Sequence, residues 1–380
     1  MKKEMILENC ILKQDKLTKC LKLLNNVPYF LRNGTELKLF QEVENVVWMV
    51  GESKKNENMT NFYVFNRRDY RKLNGLLNKI AIKEADLKRR GYSLDGIKSF
   101  NRNIWLELSR ESNAIEGILD DFSYDLLDFR AKLRGEIADT LSTQNLTKYQ
   151  YFQKLLAQNK KIEENGDCVV VFGRNKQHKL SNEMIRHVMA FKYAYKYAKR
   201  DQISDNLEDP NELLEILQGV ICLLSGSEMV EFRPVQVYVN GNLHLAKWAP
   251  IPPEEIADGL EMLANWACNS ETIRKLNPIE RAAIFHAEFL RVHPYIDGNG
   301  RTARIMSNYL LMKDEMPTIS IRHKNSKAYF DAINKAIETH SADDLIDMFF
   351  EEVYAGALNI EKCLDHIEKT QKPKLERIKE

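Results

Sequence analysis

The stretch "HPYIDGNGRTAR", residues 293–304, decides how this chain is read. Pro294 disfavours the helical conformation in the residue before it, so one helix ends at His293. "DGNG" (297–300) is a turn, and "NGRTARIMSNYLLM" opens the next helix. The glycine-turn amides then sit at a helix N-terminus, where unpaired N–H groups and the helix dipole favour a phosphate. Arg301 and Arg304 stand three positions apart and project from the same side of the first turn. Guanidinium groups pair bidentately with phosphate oxygens. Asp297 is an oxygen ligand suited to a Mg²⁺ that keeps substrate phosphates in its shell. His293, across the turn, can take a proton near neutral pH. Together these residues predict phosphoryl or nucleotidyl transfer with a histidine base.

Other phosphate and metal signatures fit less well. "GNGRTA" has the G-x-G-x-x-A form of a dinucleotide fingerprint, but that signature must follow a hydrophobic strand, and here it follows a helix and "HPYID". No GxxxxGK[ST] loop occurs in the chain. "HAE" (286–288) echoes the H-x-E of zinc deaminases without the following PCxxC, so His286 reads as an ordinary helix residue packed near the site.

Outward from the motif, the 380 residues are enough for two or three domains, and a net charge of +1 argues against a protein built to coat nucleic acid or anionic lipid. Six scattered cysteines without a CxxC pair suit buried thiols in a reducing compartment. Glu8 and Asn9 interrupt the apolar start, and no run is long enough to cross a bilayer. The expectation is a cytoplasmic protein without a signal peptide.

Residues 1–90 read as a mixed α/β accessory region, with strands at 43–53 and 61–65. Residues 91–200 read as helical, including the apolar spacing of 104–119, with a β-like interruption at 165–182. Within 201–360, Asp209-Pro210 opens one helix, "NPIERAAIFHAEFLRV" forms another, and further helices are expected near 299–312, 325–338 and 342–360. "EFRPVQVYVNGNLHLAKWAP" alternates Val235, Val237 and Val239 with other residues. Its Asn240-Gly241 suits a tight turn, which predicts a hairpin over 231–247. Residues 361–380 read as a charged tail.

The motif resembles the signature of Fic-domain proteins, with Tyr295 where that family usually has phenylalanine, and the resemblance extends over roughly 200–340. It implies a mainly α fold: a Fic-type helical bundle with a small β-hairpin flap at 231–247. It also implies protein AMPylation, the transfer of AMP from ATP to a Ser, Thr or Tyr hydroxyl. In the implied roles His293 deprotonates the target and Asp297 holds Mg²⁺. Asn299 with the amides around Gly298 and Gly300 holds the α-phosphate, while Arg301 and Arg304 grip the β- and γ-phosphates. Tyr329, in "IRHKNSKAYF" (321–330), is a base-stacking candidate. The flap would align a target protein by strand addition.

Upstream, "SNAIEG" (112–117) resembles the family's inhibitory motif, with Ser112 and Glu116 four positions apart on a helix. The resemblance implies that Glu116 pairs with Arg304 and displaces the γ-phosphate. Residues 1–90 match no part of the family core and either recruit a target or mediate self-association into a homo-oligomer. Removal of AMP, use of another nucleotide, and a non-catalytic nucleotide-sensing module are the alternatives.

Overall fold

The computed structural model describes residues 45–51, 61–118, 146–164, 169–172, 176–179, 182–200, 209–238 and 248–371. Strands β1 (Asn45–Gly51) and β2 (Asn61–Asn66) form an antiparallel hairpin with Val47 opposite Val64. Helices α1 (Arg71–Arg89), α2 (Asp95–Ile115) and α3 (Lys148–Glu164) follow. A second antiparallel hairpin, β3 (Val169–Phe172) and β4 (Lys176–Lys179), falls in the expected interruption and precedes α4 (Asn182–Arg200). The remaining helices are α5 (Pro210–Ser225), α6 (Ile256–Ala267), α7 (Ser270–Lys275), α8 (Pro278–Val292), α9 (Asn299–Lys313), α10 (Ser326–Thr339) and α11 (Asp343–Thr370). The fold is mainly α, as expected. No helix among the described residues is long and apolar enough to cross a membrane.

Local signals place the helix starts. Asp209 caps α5 by accepting from the Asn211 amide at 2.9 Å, with Pro210 at the first helical position. Asn277 and Glu280 form a reciprocal capping box at the start of α8.

Helices α8 and α9 pack on each other at the centre of the molecule. Every side chain from Ile279 to Leu290 of α8 is buried, and so is every one from Arg301 to Met312 of α9. Helices buried on all sides must satisfy their polar groups internally. Thus Arg281 pairs with Asp314 at 2.6 Å, while Glu288 holds Arg291 and accepts from the Tyr63 hydroxyl at 3.0 Å. The six-residue link from His293 to Gly298 is therefore mounted between the two most enclosed helices.

Two expectations about boundaries need correction. Part of the accessory region belongs to this same core: Tyr63, Phe65 and Leu73 are fully buried, and Val64 exchanges backbone hydrogen bonds with His340 and Ala342. Residues 361–370, read as the start of a charged tail, continue α11 instead. The physical reason is that Leu364 and Ile367 are buried where α11 packs on α1, and the charges around them are paired. Lys79 meets Glu361, Lys83 meets Asp365 and Glu368, and Arg90 meets Glu368. Of the expected 231–247 hairpin, residues 231–238 carry no strand, and its turn lies outside the described residues.

Candidate active site

His293 caps the C-terminus of α8 in a left-handed conformation, φ 50° and ψ 60°. Arg233 holds this backbone in place. Its Nε donates to the His293 carbonyl at 2.7 Å, its Nη2 to the carbonyls of Val292 and Ile251, and its Nη1 to Val235 at 2.9 Å. The Arg233 amide also donates to the Pro294 carbonyl at 2.9 Å. Burial, together with the Arg233 charge, lowers the His293 pKa to about 4, so its imidazole is neutral at pH 7 and able to accept a proton.

Beyond Pro294 the loop is closed by Asn299. Its side-chain oxygen accepts from the Tyr295 amide at 3.0 Å, and its nitrogen donates to the Tyr295 carbonyl at 2.7 Å. The Asn299 side chain is thus occupied in shaping the turn, and what it offers a ligand is its backbone amide. Tyr295, in place of the family's phenylalanine, is buried, and its hydroxyl donates to Gln218 at 3.1 Å. Gly298 adopts φ 85°, a region L side chains rarely enter, and a Cβ there would press on Ile221. The amides of Asn299, Gly300 and Arg301 follow as the first turn of α9, with no acceptor inside their own helix.

The two arginines of the motif face different partners. Arg301 is buried and donates from Nη2 to the Asp297 carboxylate at 2.9 Å, while its Nε has no partner. Asp297 itself is largely exposed, at 84% of its side chain. Among the described residues no group of three or more metal-ligating side chains occurs. One exposed carboxylate beside the unpaired amides of α9 fits a Mg²⁺ held jointly with substrate phosphates.

Arg304 is buried and engaged by α2. Its Nε donates to Ser112 Oγ at 2.8 Å, and its Nη2 donates to the Ser112 carbonyl at 2.9 Å and to Glu116 Oε1 at 2.6 Å. Helix α2 ends at Ile115, so Glu116 is its cap, and Gly117 follows at φ 79°. The Gly117 amide donates to Ala114 and the Ile118 amide to Asn113, closing the end as a Schellman turn. The negative end of α2 therefore faces the Arg304 cation. Glu116 lies over the start of α9 so closely that a Cβ at Gly300 would collide with Oε1.

The predicted residues His293, Asp297, Gly298, Asn299, Gly300, Arg301, Arg304, Ser112 and Glu116 thus converge on one end of α9. Tyr329 converges on it differently from the expectation. Its ring is fully buried, and its hydroxyl accepts from Arg304 Nη1 at 3.3 Å. Arg233 is a contributor that sequence reasoning missed, and His286, read only as packed near the site, has partners it did not foresee. A single arginine in a segment read as hairpin, and a histidine within a helix, carry no local signal of their partners.

Residues 206–311, from just before α5 into α9, match the model of the Fic/DOC family. The chain carries a Fic domain. It is similar to protein adenylyltransferase fic-1 of Caenorhabditis elegans, 30% identical over 185 residues, which is 48% of this chain and 33% of that protein. It is also similar to protein adenylyltransferase Fic of Drosophila erecta, 32% identical over 157 residues, or 41% of this chain and 30% of the relative. The chain therefore spans a third or less of the length of these relatives. Among solved structures it is similar to a Fic-domain signaling protein from Bacteroides thetaiotaomicron, with TM-score 0.48 and 18% identity over 78% of this chain and 98% of the other. A fragment of Fic-1 from C. elegans gives TM-score 0.46 and 19% identity over 79% of this chain and 75% of the fragment.

Proposed function

We propose that this chain is a protein adenylyltransferase that transfers AMP from ATP to a hydroxyl of a target protein, and that Glu116 holds it inactive. The observation that carries the reading is the Glu116 carboxylate itself, 2.6 Å from Arg304 Nη2 and against Gly300 at the α9 N-terminus. A buried cation beside free helix amides is a site for anions, and here the chain's own anion occupies it.

In the reaction, neutral His293 takes the proton of a Ser, Thr or Tyr hydroxyl as its oxygen attacks the α-phosphorus. A new P–O bond forms, the bond to the bridging oxygen breaks, and pyrophosphate leaves. The α9 amides stabilise charge on the α-phosphate, and Arg301 and Arg304 hold the leaving phosphates. Asp297 would hold Mg²⁺, which supplies charge neutralisation at the phosphates. For that role the Asp297–Arg301 pair has to open. Exposed apolar side chains at Phe232, Val235 and Ile296 border the His293 loop and support docking of the target segment there.

A second reading has one observation in its favour. Glu116 uses Oε1 on Arg304 and keeps its side chain one-third exposed, so its other oxygen can orient water for removal of AMP from a modified protein. A transfer assay followed by a chase separates the two. Wild-type and Glu116→Gly proteins are incubated with a lysate, Mg²⁺ and ATP labelled at either the α or the γ phosphate. Transfer predicts protein label from the α position only, rising strongly in Glu116→Gly. Label lower in Glu116→Gly than in wild type overturns Glu116 as the restraint on transfer. Release of α-label from a pre-labelled target by wild type but not by Glu116→Gly favours removal. Equal label from the γ position overturns adenylyl transfer.

A further inference from the structure

Arg304 is gripped from two sides. Three of its four hydrogen bonds go to Ser112 and Glu116, at the end of α2. The fourth runs from Nη1 to the Tyr329 hydroxyl on α10, and the guanidinium carbon lies 5.8 Å from the centre of the Tyr329 ring. The α10 contact, like the two to Ser112, does not involve the Glu116 carboxylate that ATP would displace.

What orients that contact lies one layer deeper. Ser307 Oγ is 2.8 Å from the Ala303 carbonyl, so its proton points there and a lone pair faces His286 Nδ1 at 2.9 Å. His286 is fully buried, and burial with the Arg304 charge lowers its pKa to about 3, which leaves one proton on the ring. The network assigns that proton to Nδ1 and leaves Nε2 bare. Nε2, 2.7 Å from the Tyr329 oxygen, therefore accepts the phenolic proton. Its proton thus turned away, the Tyr329 oxygen presents lone pairs to Arg304.

We propose that the buried chain Ser307–His286–Tyr329 holds Arg304 in its anion-gripping pose after Glu116 has left, which makes Tyr329 and His286 positioning residues for the outer phosphates of the nucleotide. This rests on the reading of the site as one that uses ATP. A hydrogen bond to a charged group changes binding by ~10-fold or more when removed. The loss is specific: AMP has no outer phosphate for Arg304 to hold.

Titration calorimetry in the Glu116→Gly background tests this, with a non-hydrolysable ATP analogue and with AMP as separate ligands. Tyr329→Phe and His286→Leu are expected to weaken the ATP analogue ~10-fold and leave AMP unchanged. His286→Gln, whose side-chain oxygen can still accept from Tyr329, is expected to restore most of the affinity. Tyr329→Phe removes a single oxygen, so it keeps the test open if His286→Leu does not fold. Unchanged affinity for the ATP analogue in Tyr329→Phe, or an equal loss for AMP, overturns the proposal and leaves the functional reading standing. Absence of ATP binding by Glu116→Gly itself overturns both. Selective loss of ATP affinity without any α-label transfer supports the positioning role and overturns the adenylyl-transfer reading alone.

Discussion

A non-glycine residue in the left-handed region costs roughly 1–2 kcal/mol, and His293 adopts it because the Arg233 fork binds the carbonyls on either side. Fixing the imidazole in this way separates proton removal from phosphate grip. His293→Ala in the Glu116→Gly background is therefore expected to cut labelling by ~10²–10⁴, with ATP affinity within a few-fold. Labelling near the parent level would remove His293 as the base. The Glu116–Arg304 pair makes a second prediction at this scale. Glu116→Gly leaves the buried Arg304 cation without its carboxylate and so frees it for phosphate. With Arg304→Ala already present, Glu116→Gly is expected to raise labelling far less, which is the non-additivity of residues in contact. Equal gains in both backgrounds would show that this pairing is not the restraint.

Helix α2 acts as one element in this restraint. Ser109 Oγ meets His187 Nδ1 on α4 at 2.9 Å, Ser112 holds Arg304, and the Schellman turn aims Glu116. Gly117 has open space around its Cβ position but sits at φ 79°, so Gly117→Ala is a pure backbone strain of about 1 kcal/mol. Fraying the last turn is expected to raise basal labelling, short of the Glu116→Gly level, and to lower unfolding free energy by about 1 kcal/mol. Lower stability with unchanged labelling would mean that the helix end is not part of the clamp.

At the scale of the molecule, the buried centre has a pH signature. Burial, then the charges of Arg304 and Arg301, drive the His187 pKa well below its usual range, and burial with Arg304 brings His286 to about 3. Unfolded, both take a proton near pH 6.5; folded, they stay neutral until far lower. The unfolded state then binds more protons below pH 6.5, so stability falls as the pH drops through that window. Each histidine contributes about 1.4 kcal/mol per pH unit there. Denaturant unfolding at pH 7.5 and pH 5 measures it, and an unchanged midpoint would count against the burial of these histidines.

The sequence by itself determined the motif's local shape, through proline at 294 and glycine at 298, and the starts of α5 and α8, through the caps Asp209, Asn277 and Glu280, all acting on neighbours one to four positions away. It also marked β1–β2 through β-branched and aromatic runs and the interruption that holds β3–β4, while the valine alternation at 231–238 gave no strand. Glu116 and Arg304, 188 positions apart, were linked in advance only by family resemblance. Tertiary structure alone decided that Arg233 grips the His293 loop, that the Tyr329 hydroxyl meets Arg304, and that α11 runs on to Thr370. Caps and turns are encoded in backbone preferences of adjacent residues. The partner of a buried side chain depends instead on which helices stack beside it, and no local pattern carries that.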